Sequence, residues 1–149
     1  MDRAGHIYQT FLDTVSDAVL AGDAAAVARR MAYPQTLKTN DGFLTVKTPD
    51  QMIAIVKDYH RFLLQLGTSD YHRVCDWAAM DADGGETTGE HMTYVVKGGS
   101  FALAPFRSRM VLRRVGDTWL GAGNEAEVSN RSCTILSPVQ IRAAREVPE

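Results

Sequence analysis

The division of the chain at Gly67 limits what it can fold into more than any other feature. Before it, apolar residues recur at helical spacing. After it, as far as about residue 129, β-prone runs are cut by short glycine-bearing turns. Helices gathered at one end of a chain and antiparallel strands at the other predict an α+β domain, in which the helices pack on one face of the sheet. The turns Asp83-Gly84-Gly85, Gly98-Gly99 and Gly116-Asp117 are short enough to join antiparallel neighbours. They predict strands over about 70–80, 87–97, 101–115 and 118–129, arranged as a meander.

The helical part reads in three pieces. Ile7, Tyr8, Phe11, Leu12, Val15, Ala18 and Val19 make the apolar stripe of a helix over roughly 4–21, with Asp13 and Asp17 on its far side. Gly22 is placed to end it, and Asp23 to cap a short Ala-rich helix over 24–31. Pro34 pushes Tyr33 out of the helical region. Asp41-Gly42, between Thr36–Thr39 and Phe43–Lys47, predicts a β-hairpin. Thr48-Pro49-Asp50-Gln51 is a capping-box start with Pro at the first helical position, and the helix it opens carries Met52, Ile53, Ile55, Val56, Tyr59, Phe62, Leu63 and Leu66. The expected domain covers 1–130, followed by a tail over 131–149 with a helical turn near 138–145.

Composition narrows the function classes. The 149 residues carry 16 Lys and Arg against 18 Asp and Glu, a net charge of −2, so no basic field exists to attract nucleic acid or an anionic membrane. No apolar run is long enough to span a bilayer, and the N-terminal residues lack the pattern of a secretory signal. Two cysteines, Cys75 and Cys133, make no disulfide framework and have no Cys-x-x-Cys spacing, which points to the cytoplasm. His6, His60, His72 and His91 show no metal-binding spacing. Neither a metal nor a cofactor is expected.

The element order resembles the NTF2-like superfamily, the cone-shaped or SnoaL-like α+β domains. The fragments that carry the resemblance are Tyr33-Pro34, Asp41-Gly42, Thr48-Pro49-Asp50 and the run from Met110 to Leu120, whose Val111-Leu112-Arg113-Arg114 and Gly116-Asp117-Thr118-Trp119 are similar to a hairpin common in that superfamily. All are architectural. The resemblance implies a strongly curved sheet wrapped over the helices, a blind pocket at the wide end of the cone, and homodimers formed through the sheet. Its members include isomerases, dehydratases and cyclases, and also non-catalytic association or transport modules. In steroid-isomerase-like members a carboxylate leading into the first hairpin is the base. Here that neighbourhood reads Leu37-Lys38-Thr39-Asn40, and none of these can take a substrate proton near neutral pH.

Strand alternation then nominates pocket residues. In 71–80, the row Val74, Asp76, Ala78, Met80 would turn Asp76 inward as a general base. In 87–96, apolar content favours Glu90, Met92, Tyr94 and Val96 inward, with the Tyr94 phenol polarising a substrate; with the opposite parity His91 takes that place. In 118–128, Leu120, Ala122, Asn124, Ala126 and Val128 would face in, and Trp119, Gly121 and Gly123 out. Tyr33, Tyr59, Met92, Met110 and Asn124 are candidate ligand contacts, although a tyrosine on a helical core face more often packs than reacts. Arg107, Arg109 and Arg113 form a stripe that either binds an anion or, more plainly, pairs across strands with Glu125 and Glu127. Two functional readings stay open. One is a cofactor-free acid–base isomerase, dehydratase or cyclase acting on a small, largely apolar organic molecule. The other is a non-catalytic binding or dimeric association module.

Overall fold

The computed structural model of the protein describes residues 2–135. Helix α1 (Arg3–Ala21) is capped by Asp2, whose carboxylate accepts from the Gly5 N–H at 2.8 Å, and ends at Gly22 in the left-handed conformation. It buries Tyr8, Phe11, Leu12, Val15 and Val19, the stripe its sequence spacing prescribes. Helix α2 (Ala24–Arg29) is shorter than its sequence suggested, since Met31 already bridges to Gly121. The hairpin strands β1 (Gln35–Thr39) and β2 (Gly42–Val46) follow, turning at Asn40-Asp41. Helix α3 (Pro49–Gln65) opens with both bonds of the capping box: Thr48 Oγ1 accepts from the Gln51 N–H, and Gln51 Oε1 accepts from the Thr48 N–H.

The remaining strands are β3 (Asp70–Met80), β4 (Glu86–Lys97), the two-residue β5 (Ser100–Phe101), β6 (Phe106–Val115) and β7 (Thr118–Ala126). The run expected over 101–115 as one strand is broken at 102–105. All pair in one sheet, ordered β2-β1-β7-β6-β4-β3 with β5 beside β4. Among the described strands only β1 and β7 pair in parallel, and this pairing joins the hairpin to the meander at Leu37 and Asn124. The helices cover one face, and the core between comprises the α1 stripe, Met52, Ile55, Val56, Tyr59 and Leu63 of α3, and Tyr71, Val95, Phe106, Met110, Leu112 and Ala126 of the sheet. Packed chain runs past β7, because Cys133 is fully buried. The helical turn expected near 138–145 lies outside the described residues. Among the described residues no helix is long and apolar enough to cross a membrane.

Two β-bulges decide what faces the helices. In β3, Cys75 pairs with His91 but Trp77 pairs with Glu90, so Asp76 is the extra residue. In β7, Gly123 pairs with Val111 but Gly121 pairs with Leu112, so Ala122 is the extra residue. Each insertion reverses the inward set along its strand. Tyr71, Arg73 and Cys75 point to the helices before the first bulge, and Ala78 and Met80 after it.

Candidate functional site

A cavity of about 110 Å³ lies between the concave face of the sheet and the helices. Phe11, Val15 and Val19 of α1 and Met52, Ile55 and Val56 of α3 form its apolar roof. The sheet supplies Leu37, Phe106, Met110, Gly121 and Gly123, together with the polar groups Gln35, Tyr71, Arg73, His91, Thr93, Ser108 and Asn124. No Asp or Glu is among the described residues of its wall.

The polar groups are mostly engaged with each other. His91 Nδ1 lies 2.6 Å from the Tyr8 hydroxyl, both side chains being fully buried. Burial, reinforced by the positive charge of Arg73, pushes the His91 imidazole down to about 2, so it is neutral at physiological pH. Burial also raises the Tyr8 phenol, which keeps its proton and can donate it to Nδ1, leaving the imidazole N–H on Nε2. The Tyr59 hydroxyl donates to the Tyr71 hydroxyl at 3.2 Å, and burial holds both phenols in the neutral form. Cys133 stands beside Tyr59 and is pushed up to about 11 by burial, so its thiol is protonated. The Gln35 amide donates to the Ala32 and Gly121 carbonyls and is thereby taken up in joining β1 to β7. Two buried atoms of the cavity-lining residues have no partner among the described residues: Asn124 Oδ1 and Arg73 Nη2. Among the described residues the only bond of the Arg73 guanidinium is from Nε to Ser16 Oγ at 2.8 Å.

The structure brings Tyr59, His91, Met110 and Asn124 together on this wall, as the sequence placed three of them and, for His91, as its second parity did. It removes the other nominees. Tyr94 and Met92 lie on the outer face because the inward row of β4 is Thr87, Gly89, His91, Thr93 and Val95. This row looked the more polar, but its His91 and Thr93 line the cavity. Tyr94 instead stacks between His72 and Phe101 outside. Asp76 is the bulge residue and points outward, where Arg107 binds it at 2.5 Å. Tyr33 donates to the Ala28 carbonyl at 2.8 Å and serves to pin the end of α2. In β7 the parity holds for Asn124, Ala126 and Val128. Beyond the bulge it reverses, so that Gly121 faces the cavity and Leu120 lies opposite the exposed Arg113.

Tyr8, Tyr71 and Arg73 were not nominated from sequence. The available signal was the row Tyr71, Arg73, Cys75, which period-two reading put on the outside because it continued the row straight through to Trp77 and Ala79. The arginine stripe pairs across strands, though with different partners from those expected: Arg107 with Asp76 and Glu90, and Arg113 with Glu86, while Glu125 pairs with Lys38. Arg109 lies over the Trp77 ring at 5.8 Å. Exposed pairs of this kind contribute under about 1 kcal/mol each. Asp76→Asn should therefore lower stability by less than about 1 kcal/mol in urea denaturation and leave the cavity's methyl NMR signals in place. A shift of the cavity signals would mean that Asp76 does reach the site.

No family model matches the sequence, and no curated protein matches it either. Solved structures do. An NTF2-like protein with a cystatin-like fold from Novosphingobium aromaticivorans superposes with a TM-score of 0.63 at 18% identity, over 89% of this chain and 88% of that one. The chain has the NTF2-like fold. An NTF2-like protein of unknown function from Shewanella oneidensis gives 0.64 at 10% identity, over 83% and 98% of the two chains. A domain of unknown function with a cystatin-like fold from Nostoc punctiforme gives 0.66 at 14%, over 98% and 95%. At such identities the shared property is the NTF2-like fold, and the chemistry must be argued from the cavity.

Proposed function

We propose that the protein is a SnoaL-like binding domain that holds a small, largely apolar organic molecule in the cavity of its NTF2-like fold. The observation that carries this is a cavity with an apolar roof and a few convergent polar groups, the general form of a small-molecule site. Its size is on the order of the 150 Å³ cavity that takes up benzene. Binding is favoured over acid–base turnover because the carboxylate nominated as base lies on the outer face, and because an imidazole held near 2 is too weak a base at neutral pH. His91 then serves as a fixed hydrogen-bonding group rather than a proton carrier.

The methionines provide the test. Met31, Met52 and Met110 line the cavity, whereas Met80 and Met92 do not. In protein labelled at the methionine methyl carbons, titration with toluene should shift the first three signals and spare Met80 and Met92. Shifts spread equally over all five, or none at saturating toluene, would overturn the reading.

A further inference from the structure

We propose that the molecule this cavity takes is a small organic monocarboxylate, its carboxylate held by Arg73; the proposal rests on the binding reading above and names the class of ligand. Arg73 extends from the inward row of β3 to the cavity wall, between α1 and the sheet. Ser16 fixes its Nε, and Nη2 is buried without a partner. Among the described residues no carboxylate lies within ion-pair distance of it. The exposed cations Lys38, Arg61, Arg107, Arg113 and Arg114, by contrast, all have acidic partners. Several cations thus have a counter-ion where water already screens them, whereas the one arginine that lines the apolar cavity has none among the described residues.

Such an arrangement is costly to the empty protein, and a guanidinium cannot relieve the cost by losing its proton. The other titratable groups at the site do not help: His91, Tyr8, Tyr59, Tyr71 and Cys133 are all neutral. An anion entering the cavity supplies what is missing. With Nε committed to Ser16, the Nη groups remain to grip a carboxylate. One cation calls for one negative charge, since a phosphate dianion would bring a second into an apolar site with nothing to meet it. A cavity of about 110 Å³ limits the apolar part to a single ring or a short branched chain.

The probes are sodium benzoate, its neutral isostere benzamide, toluene and sodium sulfate, titrated at pH 7 into the wild type, Arg73→Met and Arg73→Lys with the methionine methyls as reporters. The wild type should bind benzoate at least about tenfold more tightly than benzamide, the range of a charge-assisted hydrogen bond. Arg73→Met should abolish that preference while toluene still shifts Met31, Met52 and Met110. Arg73→Lys, which keeps the charge without the planar fork, should reduce it and stands in if the Met variant does not fold. Equal affinity for benzoate and benzamide in the wild type, a preference unchanged in both variants, or sulfate competing as well as benzoate would each overturn the carboxylate assignment and leave the cavity reading standing. No response to any probe, toluene included, would overturn both.

Discussion

Between pH 6.5 and 4.5 the protein should lose about 2 kcal/mol of stability through His91 alone, and His91→Gln should lack that loss. The imidazole of an unfolded chain takes up a proton near 6.5. In the folded protein the same ring is buried, with a folded value near 2. In the interval between, the unfolded state holds more protons than the folded one, so stability falls as pH falls. The limiting slope is about 1.4 kcal/mol per pH unit. Above pH 6.5 the contribution is fully present. Nothing that faces His91 offers relief: α1 presents Tyr8, β3 presents the cation Arg73 and the thiol of Cys75, and β6 presents Ser108. Acidic surface groups and the other histidines also titrate, so the informative quantity is the difference between wild type and variant. Urea midpoints measured at pH 7.5, 5.5 and 4.5 should converge as pH falls, and parallel curves would show that His91 is not kept neutral by the fold. Against a typical total of about 5–15 kcal/mol, this one ring makes the domain acid-sensitive.

Gly89→Ala should cost about 1–3 kcal/mol, whereas Gly99→Ala should change stability by less than about 0.5 kcal/mol. The reason is space rather than backbone conformation. A Cβ on Gly89 would stand 2.6 Å from the Tyr8 ring and 2.7 Å from the Trp77 carbonyl oxygen, both well inside contact distance. The ring is fully buried and tied to His91, and the carbonyl is backbone, carried inward where β3 bulges at Asp76. Neither can give way without moving the β3–β4 register. A Cβ on Gly99, in the turn before β5, meets nothing within 4 Å. Equal urea midpoints for the two variants would refute the coupling between the bulge and Gly89. A matching loss should appear in the amide signals of residues 75–80 and 87–91, which share that register.

Both predictions concern side chains whose importance the sequence shows poorly. Elements marked by local chemistry were legible: the Asp23 cap, the Thr48 capping box and the glycine turns each act within a few residues, and each forms as its sequence implies. The family of shapes was legible for the same reason. Strand faces were not. Period-two reading assumes an unbroken pleat, and one inserted residue at Asp76 and another at Ala122 put the two sides of each bulge out of step, so a row drawn straight through is right on one side only. Apolar content misled in β4 because a cavity wall is more polar than a packed core, so the row with Thr87, His91 and Thr93 was the inner one.

The sequence by itself determined that a helical half would pack on an antiparallel half, where most elements begin and end, and that no strong charge or metal-ligand pattern would dominate. Those properties follow from spacing and capping, which are local. Only the tertiary structure decided that Asp76 faces solvent against Arg107, that Tyr8 reaches from α1 to His91 in β4, and that Arg73 stands at the cavity without a counter-ion. These depend on contacts between residues far apart in the chain and on two bulges whose extra residues carry no mark in the sequence.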